Sequence, residues 1–231
     1  MMEQKIDSAQ ELDERDMRVV TCAAELFLQR GLEDVTMVDI AKAAHVGVAT
    51  VYRHFSTKSR IAVEAATLLW ERFNERILKL VESDQFLALN GLERLRVLLD
   101  GYCEAYDSQA GFVSFLDEFD HKILAGDMVR TELVKYGEKI DSFYVIFEDA
   151  YALGRSDGSI HREVPFRSFY LALTHALMGV AQKLRRGEII PSDDFSSGVE
   201  ELRMIVDMAL WSLVSTASVP TPVGMPVGKE G

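Results

Sequence analysis

Apolar residues recur three and four positions apart through most of this chain, and that spacing limits its possible folds more than any other feature. It places apolar side chains along one face of a helix. Alternation of apolar and polar residues, which is typical of strands, is nearly absent. The sequence therefore predicts an all-α protein. Two clear examples of the spacing are Val19, Ala23, Leu26 and Phe27, and then Ile61, Ala65, Leu68 and Leu69.

The size and composition of the chain favour a folded protein inside the cell. Its 231 residues, 48% of them apolar, are enough to bury a sizeable core. No run of about 18 uncharged apolar residues occurs, and the first residues, MMEQKIDSAQELDERD, are acidic, unlike a signal peptide. Cys22 and Cys103 lie in apolar, helical sequence, which is typical of reduced, buried thiols. We expect a cytoplasmic protein without a membrane partner.

The net charge of −12 is distributed unevenly. Between Thr36 and Arg60, four basic residues against one acidic residue give a local charge of +3, which leaves −15 for the rest of the chain. Affinity for a phosphate backbone comes mainly from Lys and Arg. The distribution predicts a small cationic face on an acidic body. The charged residues of that segment are Lys42, Arg53, Lys58, Arg60 and Asp39.

Local signals predict four helices at the start of the chain. The first runs from about Glu14 to Arg30 and stops at Gly31, which can adopt the positive φ found just past a helix end. Thr36 stands three residues before Asp39, a capping-box spacing that opens a second helix ending near Ala44. A third helix over residues 47–55 and a long fourth helix over residues 58–81 follow, with Ser56 and Thr57 between them.

The remainder of the chain predicts five or so further helices. Breaks are expected at Asn90–Gly91, Ala110–Gly111, Ala125–Gly126, Gly154–Pro165 and Gly187–Ser192. Residues 1–13 are expected to form a flexible N-terminus. Residues 217–231, ASVPTPVGMPVGKEG, hold three of the five prolines and predict a disordered tail.

The second and third helices have the arrangement of a helix-turn-helix, whose second helix enters the major groove of DNA. Val51 and Phe55 are four positions apart and can pack inward, whereas the other side chains of residues 47–55 point variously outward. We expect Val51, Phe55, Ile40 and Ala41 to form the core that holds this unit.

The segment TMVDIAKAAHVGVATVYRHFSTKSRI, and TVYRHFSTK within it above all, resembles the DNA-binding domain of the TetR family, named for the tetracycline repressor. The resemblance covers about Arg15 to Ile61. It implies a helix-turn-helix domain over residues 14–60, with the motif at 36–55. It also implies a larger helical domain over residues 61–216 that binds a small ligand and dimerises.

The resemblance also implies roles for single residues. Thr50 and Tyr52 match contacts to bases or phosphates, His54 and Lys58 match phosphate contacts, and Thr36 opens the supporting helix near the backbone. The expected DNA-contacting residues are Thr36, Val38, Gly47, Val48, Ala49, Thr50, Tyr52, Arg53, His54 and Lys58.

At two positions the chain departs from the family pattern, and both departures bear on the choice of operator. Val38 stands where a polar or charged side chain is frequent, and His45 stands where the family usually has Gly. We expect His45 to adopt a left-handed backbone conformation, which His tolerates better than branched residues.

Aromatic and Met side chains are frequent after Thr67 and could enclose a ligand pocket as well as a core. In the stretch FVSFLDEFDH, Phe112, Phe115 and Phe119 share one helical face, a pattern also typical of an ordinary amphipathic helix. The expected ligand-binding residues are Tyr102, Tyr106, Phe112, Phe115, Phe119, Tyr144, His175 and Met178.

The last two long helices, expected over about Val164 to Arg186 and Asp193 to Ser215, are predicted to form a homodimer interface. A dimer would bind a palindromic operator, and family resemblance favours repression over activation. Ligand binding would shift the fourth helix and release the DNA. The apolar residues at helical spacing, some of them core, are Phe169, Leu173, Leu177, Val180, Leu202, Ile205, Leu210 and Leu213.

Two other classes of function stay open at this point. Glu118 and His121 have the i, i+3 spacing that di-iron helical bundles use, so a metal- or cofactor-binding enzyme is the alternative, although a second such pair is absent. The other class is a helical adaptor that only binds other proteins, but that function would not explain the sequence pattern of residues 36–58. We expect no catalytic residues, no metal and no cofactor.

Overall fold

The computed structural model describes residues 12–124, 133–187 and 194–216, together with the main chain but not the side chains of residues 123, 124 and 135. The described residues form helices and connecting loops, as predicted. The helices are α1 (Glu14–Arg30), α2 (Met37–Ala43), α3 (Val48–Phe55), α4 (Lys58–Val81), α5 (Asp84–Leu87), α6 (Gly91–Ser108), α7 (Ala110–Leu124), α8 (Leu133–Asp157), α9 (Phe166–Arg186) and α10 (Val199–Val214).

The first four helices begin and end where local signals predict. Gly31 follows α1 with φ 83°, and Thr36 caps α2 through a complete capping box with Asp39. Thr57 caps α4 by accepting a hydrogen bond from the backbone N–H of Arg60. His45, in the turn between α2 and α3, has φ 55°, so the expectation for this residue is confirmed.

Helix α4 connects the N-terminal helices to the rest of the molecule. Its first half contributes Ile61 and Ala65 to the core around α1, and its second half contributes Trp70 and Phe73 to the core around α7 and α8. One continuous cluster of buried apolar side chains therefore runs from α1 to α10. A displacement of α7 or α8 would reach α1 through packed side chains, since close-packed interiors transmit strain.

Three details of the later helices differ from the sequence expectations. The short helix α5 has no counterpart among the predicted elements. Helix α8 continues through Gly154 to Asp157 before the chain turns. Helices α9 and α10 begin at Phe166 and Val199, later than expected. The expected N-terminal flexibility over residues 1–11, the tail at 217–231 and the break at Ala125–Gly126 lie outside the described residues.

The structure shows which of the apolar residues expected on α9 and α10 are core. The chain's own core buries Leu173, Leu177, Leu202, Leu210 and Leu213. Helix α9 packs against α7, α10 packs against α6, and α9 and α10 pack against each other. The exposed apolar side chains are Leu171 on α9 and Met204, Met208 and Trp211 on α10. None of the described helices is both long and apolar enough to span a membrane.

Candidate nucleic-acid interface

Fully buried side chains hold the unit formed by α2 and α3 against the core around α1. Ile40 and Ala41 of α2 and Val51 and Phe55 of α3 are each at most 2% exposed, as the sequence predicts. They pack with Ala44 and the α1 core. The buried face fixes which side of α3 points to solvent.

The solvent side of α3 presents Ala49, Tyr52 and Arg53, which share one face at spacings of three and four. Tyr52 is 51% exposed although it is a large aromatic residue. Val48 and Thr50 are half-buried, so they lie at the edge of this face. We call Ala49, Tyr52, Arg53 and the exposed residues Val38 and Thr36 of the preceding segment the reading face.

Gly47 opens α3 without a side-chain cap. The backbone N–H groups of the first turn therefore have no side-chain acceptor there, and Gly47 itself is exposed. The N-terminus of a helix attracts anions through these N–H groups and the helix dipole. This end of α3 can accept a phosphate oxygen, and the missing side chain leaves room for the backbone of DNA.

The charges around the reading face favour a polyanion. Lys42, Arg53 and Arg60 are exposed, and in the described part of the chain none of the three forms an ion pair. Asp39, the one carboxylate in this segment, is occupied by Thr36 and lies 3.5 Å from Arg30. The hydrogen bond from the Thr36 hydroxyl holds the pKa of Asp39 below its ordinary value. Because Lys42 and Arg60 are exposed, they belong to the cationic surface around the reading face, although the family pattern assigns them no contact with DNA.

Lys58 binds backbone groups of the protein itself. Its ammonium group donates to the carbonyl oxygens of Leu32, Glu33 and Val35, at 2.9, 3.1 and 2.9 Å. Lys58 therefore ties α4 to the loop between α1 and α2, and its three N–H donors are committed there. Its proposed phosphate contact would have to compete with these bonds.

His54 also contacts the protein itself. Its Nδ1 atom lies 3.0 and 3.1 Å from the two carboxylate oxygens of Asp16 on α1. This pairing buttresses α3 against α1, with 25% of the His54 side chain still exposed. A contact from His54 to DNA stays a prediction, and it would use the outer part of the ring.

The residues expected to bind a ligand do not surround one pocket. Tyr102, Phe112 and Met178 line an interior cavity with Trp70 and Phe73, but the cavity holds only about 10 Å³, roughly one water molecule. A larger open groove of about 760 Å³ lies between α6 and α10, beside Val97 and Trp211.

The other five expected ligand residues lie elsewhere. Phe115 stacks on Phe27 of α1, with ring centroids 5.7 Å apart, and Phe119 packs on Tyr136. His175 is exposed on the outer face of α9. The other two are at helix edges, Tyr106 beneath Arg185 and Tyr144 bonded to Glu148.

Glu118 and His121 do not converge as metal ligands would. The Glu118 carboxylate accepts from the backbone N–H groups of Leu32 and Glu33, at 2.5 and 3.2 Å. The Nδ1 atom of His121 lies 2.7 Å from the carbonyl oxygen of Asp117, and the ring is exposed. In residues 12–124, 133–187 and 194–216, no group of three or more His, Cys, Asp or Glu is arranged to hold a metal.

Comparison with known proteins identifies the N-terminal unit. Residues 19–65 match the family model described as bacterial regulatory proteins, tetR family. Over these residues the chain is similar to regulators of the tetR family. A curated relative, the HTH-type transcriptional regulator HbdR of Aromatoleum sp. (strain CIB), is 26% identical over 127 residues, which are 55% of this chain and 52% of HbdR. The match thus spans about half the length of that relative.

Solved structures share the fold of this protein over most of its length. The fatty acid degradation regulator FadR from Bacillus halodurans superposes with a TM-score of 0.61 at 15% identity, over 87% of this chain and 97% of FadR. Thermus thermophilus FadR, a TetR-family repressor in complex with lauroyl-CoA, gives 0.58 at 19% identity, over 91% and 100%. Bacillus subtilis FadR in complex with stearoyl-CoA gives 0.57 at 16% identity, over 87% and 99%.

Proposed function

We propose that this protein regulates transcription as a homodimer, acting as a repressor that binds a palindromic operator and is released by a small molecule. The observation that carries the proposal is the reading face, where Tyr52 and Arg53 project from a helix whose other side is buried. One such helix contacts few bases, so two copies about one helical turn apart would supply the affinity.

In this proposal, the contacts with DNA fall into two kinds, those to base edges and those to phosphates. Tyr52, Arg53 and Ala49 would reach base edges and nearby phosphates, and the open N-terminus of α3 at Gly47 would receive a phosphate. Lys42 and Arg60 would add phosphate contacts at the rim. The acidic remainder of the molecule disfavours nonspecific binding elsewhere.

DNA titration tests this function directly. Duplexes that flank the protein's own gene, and a duplex selected from a random library, are titrated at two salt concentrations with a scrambled duplex as control. We expect a saturable, sequence-selective complex that weakens as salt rises. Equal affinity for the selected and the scrambled duplex would contradict the proposal.

The proposed dimer interface is the outer face of α9 and α10. Met204, Met208 and Trp211 lie four and three positions apart on α10 and are 58%, 57% and 65% exposed. An exposed apolar stripe of this kind is typical of an interaction surface. Two copies facing each other through a two-fold axis would cover it.

The two tryptophans allow this interface to be tested. In a Trp70→Phe variant, Trp211 is the remaining reporter, and its emission should move to shorter wavelength as dimers form with rising concentration. Adding Met208→Glu should keep the variant monomeric by light scattering. A monomeric mass for the wild-type protein at micromolar concentration would contradict the dimer.

For the effector we propose a molecule with a long apolar chain, and an acyl-CoA thioester is the class to test first. The apolar lining of the interior cavity supports such a chain, and two proteins of similar fold hold acyl-CoA molecules. Ligand pockets are typically about 300–1,000 Å³. Binding would therefore require the helices around the cavity to move apart.

A Trp211→Phe variant tests the location of the effector. Trp70 lines the cavity and is then the remaining reporter. Lauroyl-CoA and free coenzyme A are titrated in parallel, and we expect lauroyl-CoA alone to change Trp70 emission and to weaken operator binding. Tight binding of lauroyl-CoA that changes neither the Trp70 emission nor the affinity for the operator would contradict the proposed release mechanism.

A further inference from the structure

Helix α7 meets the N-terminal helices through a tightly built contact. Phe115 stacks on Phe27 with an angle of 8° between the rings, and both are 1% exposed. Gly111 lies against α1 so closely that a Cβ atom there would be 2.5 Å from the carbonyl oxygen of Leu28. Only glycine allows this approach without a shift of one helix. We call Phe27, Leu28, Gly111 and Phe115, with the polar contacts below, the α7 contact.

Two charged side chains of α7 continue this contact onto the loop between α1 and α2. The Glu118 carboxylate accepts the N–H groups of Leu32 and Glu33 through one oxygen, at 2.5 and 3.2 Å. One turn later, the Lys122 ammonium lies 2.7 Å from the Glu33 carboxylate. That hydrogen bond holds the pKa of Glu33 below its ordinary value. Charge-assisted bonds of this kind are roughly twice as strong as neutral ones.

The same loop is held from its other side by α4. Lys58 binds the carbonyl oxygens of Leu32, Glu33 and Val35, while Glu118 binds the N–H groups of Leu32 and Glu33. A cation and an anion from two different helices thus fix both sides of one short backbone segment. Thr36, which caps α2, follows this segment directly. The position of α2 and α3 therefore depends on both α4 and α7.

The opposite sides of α7 connect it to the helices of the larger part. Arg186 of α9 donates two hydrogen bonds to Asp117, at 2.7 and 2.6 Å, and Gln182 donates to Asp120 at 2.8 Å. Phe112 of α7 lines the interior cavity. Any expansion of that cavity must displace Phe112 or its neighbours, because about 10 Å³ leaves no room for a ligand.

We propose that Glu118 is the positioning residue that couples α7 to the DNA-reading helices. When α7 is in place, Glu118 and Lys58 together hold the 32–35 loop, and α2 and α3 stand in the DNA-binding arrangement. When α7 moves, the loop loses its anionic partner, and α2 and α3 are released on that side. This inference rests on the proposed function, and it adds a route to DNA that is separate from a shift of α4.

Hydrogen–deuterium exchange on the full chain tests the coupling from the DNA side, since coupling between two sites is reciprocal. The probe is a duplex selected from a random library by the wild-type protein. In the wild type, the duplex should slow exchange in the loop at residues 31–36 and also in residues 112–122 of α7. In Glu118→Ala, exchange of the loop should be faster without DNA, and α7 should not respond to the duplex.

Three variants besides Glu118→Ala distinguish a role in positioning the loop from a simple loss of folding: Glu118→Gln, Glu118→Asp and Glu104→Ala. Glu118→Ala should weaken duplex binding by roughly fivefold or more, the lower end of the range for coupled sites. Glu118→Gln keeps the length and one acceptor oxygen, so it should restore part of the affinity and of the α7 response. Glu118→Asp keeps the charge but is too short, and should behave like Glu118→Ala. Glu104→Ala, which removes an exposed carboxylate on α6, should behave like the wild type.

The outcomes distinguish this inference from the proposed function. If a duplex is selected and α7 of folded Glu118→Ala still responds to it as in the wild type, the coupling through Glu118 is overturned. If no duplex is retained, the proposed function fails. Unchanged exchange of the 31–36 loop in Glu118→Ala without DNA would then overturn the loop clamp as well, whereas faster exchange would support it.

Discussion

The reading face and the α7 contact are built in opposite ways, although fewer than 20 residues of sequence separate Leu32 from Ala49. The reading face consists of exposed side chains such as Tyr52 and Arg53 on a buried support. The α7 contact consists of stacked aromatic rings, a glycine at close approach and charged groups that are paired. One surface is available to a partner, and the other has its partners within the chain.

This difference teaches where changes in sequence are tolerated. Substitutions on an exposed surface usually change the free energy of unfolding by less than about 0.5 kcal/mol. Residues of the reading face can therefore be substituted without loss of folding. Substitutions in the α7 contact alter stability and the placement of α2 and α3 together, because one set of residues serves both.

The largest effect is expected at the aromatic stack of the α7 contact. Phe115→Ala removes a ring that is 1% exposed and leaves a cavity beside Phe27. We expect the free energy of unfolding to fall by about 3–5 kcal/mol, as for other buried Phe residues. Urea denaturation measures it, with the exposed Val145→Ala as control. Equal loss in both variants would show that the buried ring of Phe115 stabilises the protein no more than an exposed side chain does.

Lys58 and Arg53 offer the sharpest comparison between supporting and reading cations. Lys58→Ala leaves three backbone carbonyls without this donor, so we expect a loss of about 1–3 kcal/mol in the free energy of unfolding. Arg53→Ala should leave stability unchanged within about 0.5 kcal/mol and weaken DNA binding with a smaller salt dependence. Thermal melts and DNA titrations on both variants check this. A stable Lys58→Ala protein would return Lys58 to the phosphate contacts.

Tyr52 tests whether the reading face acts without a structural role. Tyr52→Ala should weaken operator binding by about 1–3 kcal/mol while the helix content by circular dichroism and the melting temperature stay the same. Tyr52→Phe separates the hydroxyl from the ring. Loss of stability in Tyr52→Ala would show that the ring, although 51% exposed, supports α3.

The smallest effect concerns a carboxyl group on the far side of α7. Burial raises the pKa of Asp120 above its ordinary value of 3.8. Its protonated form is thus favoured by folding, and this stabilisation is present below pH 3.8 and lost as pH rises through the raised pKa. Asp120→Asn should raise the melting temperature at pH 7, and the gain should disappear near pH 4. Asp117→Asn keeps one acceptor oxygen but loses the negative charge and one of the two bonds from Arg186, so it should lower the melting temperature at pH 7.

Much of the N-terminal unit could be predicted because its signals are local. The cap at Thr36, the stop at Gly31 and the turn at His45 each depend on residues within four positions, and α1 to α4 begin and end where these signals fall. The family pattern is carried by the same short segment. The contacts that these residues would make with DNA stay predictions.

Less could be predicted for the helices that follow α4, because the periodicity predicts a helix but not which way its faces point in the folded protein. The same spacing that made Leu173 and Leu210 candidates for a dimer interface also suits a core, and both are buried within the chain. Trp211 and Met208 face outward instead. For the same reason, the eight residues expected to bind a ligand do not surround one cavity, because the amphipathic pattern of a helix does not specify which helices pack against it.

The sequence by itself determined an all-α chain, the bounds of its first four helices and the face of α3 that is buried, because these follow from spacings of three and four residues. The tertiary structure alone decided the partners of the charged side chains. Lys58 reaches carbonyls 23 to 26 positions away, and Glu118 reaches an N–H group 86 positions away. Such pairings depend on how helices pack, and no local pattern encodes the distance between two residues so far apart in the chain.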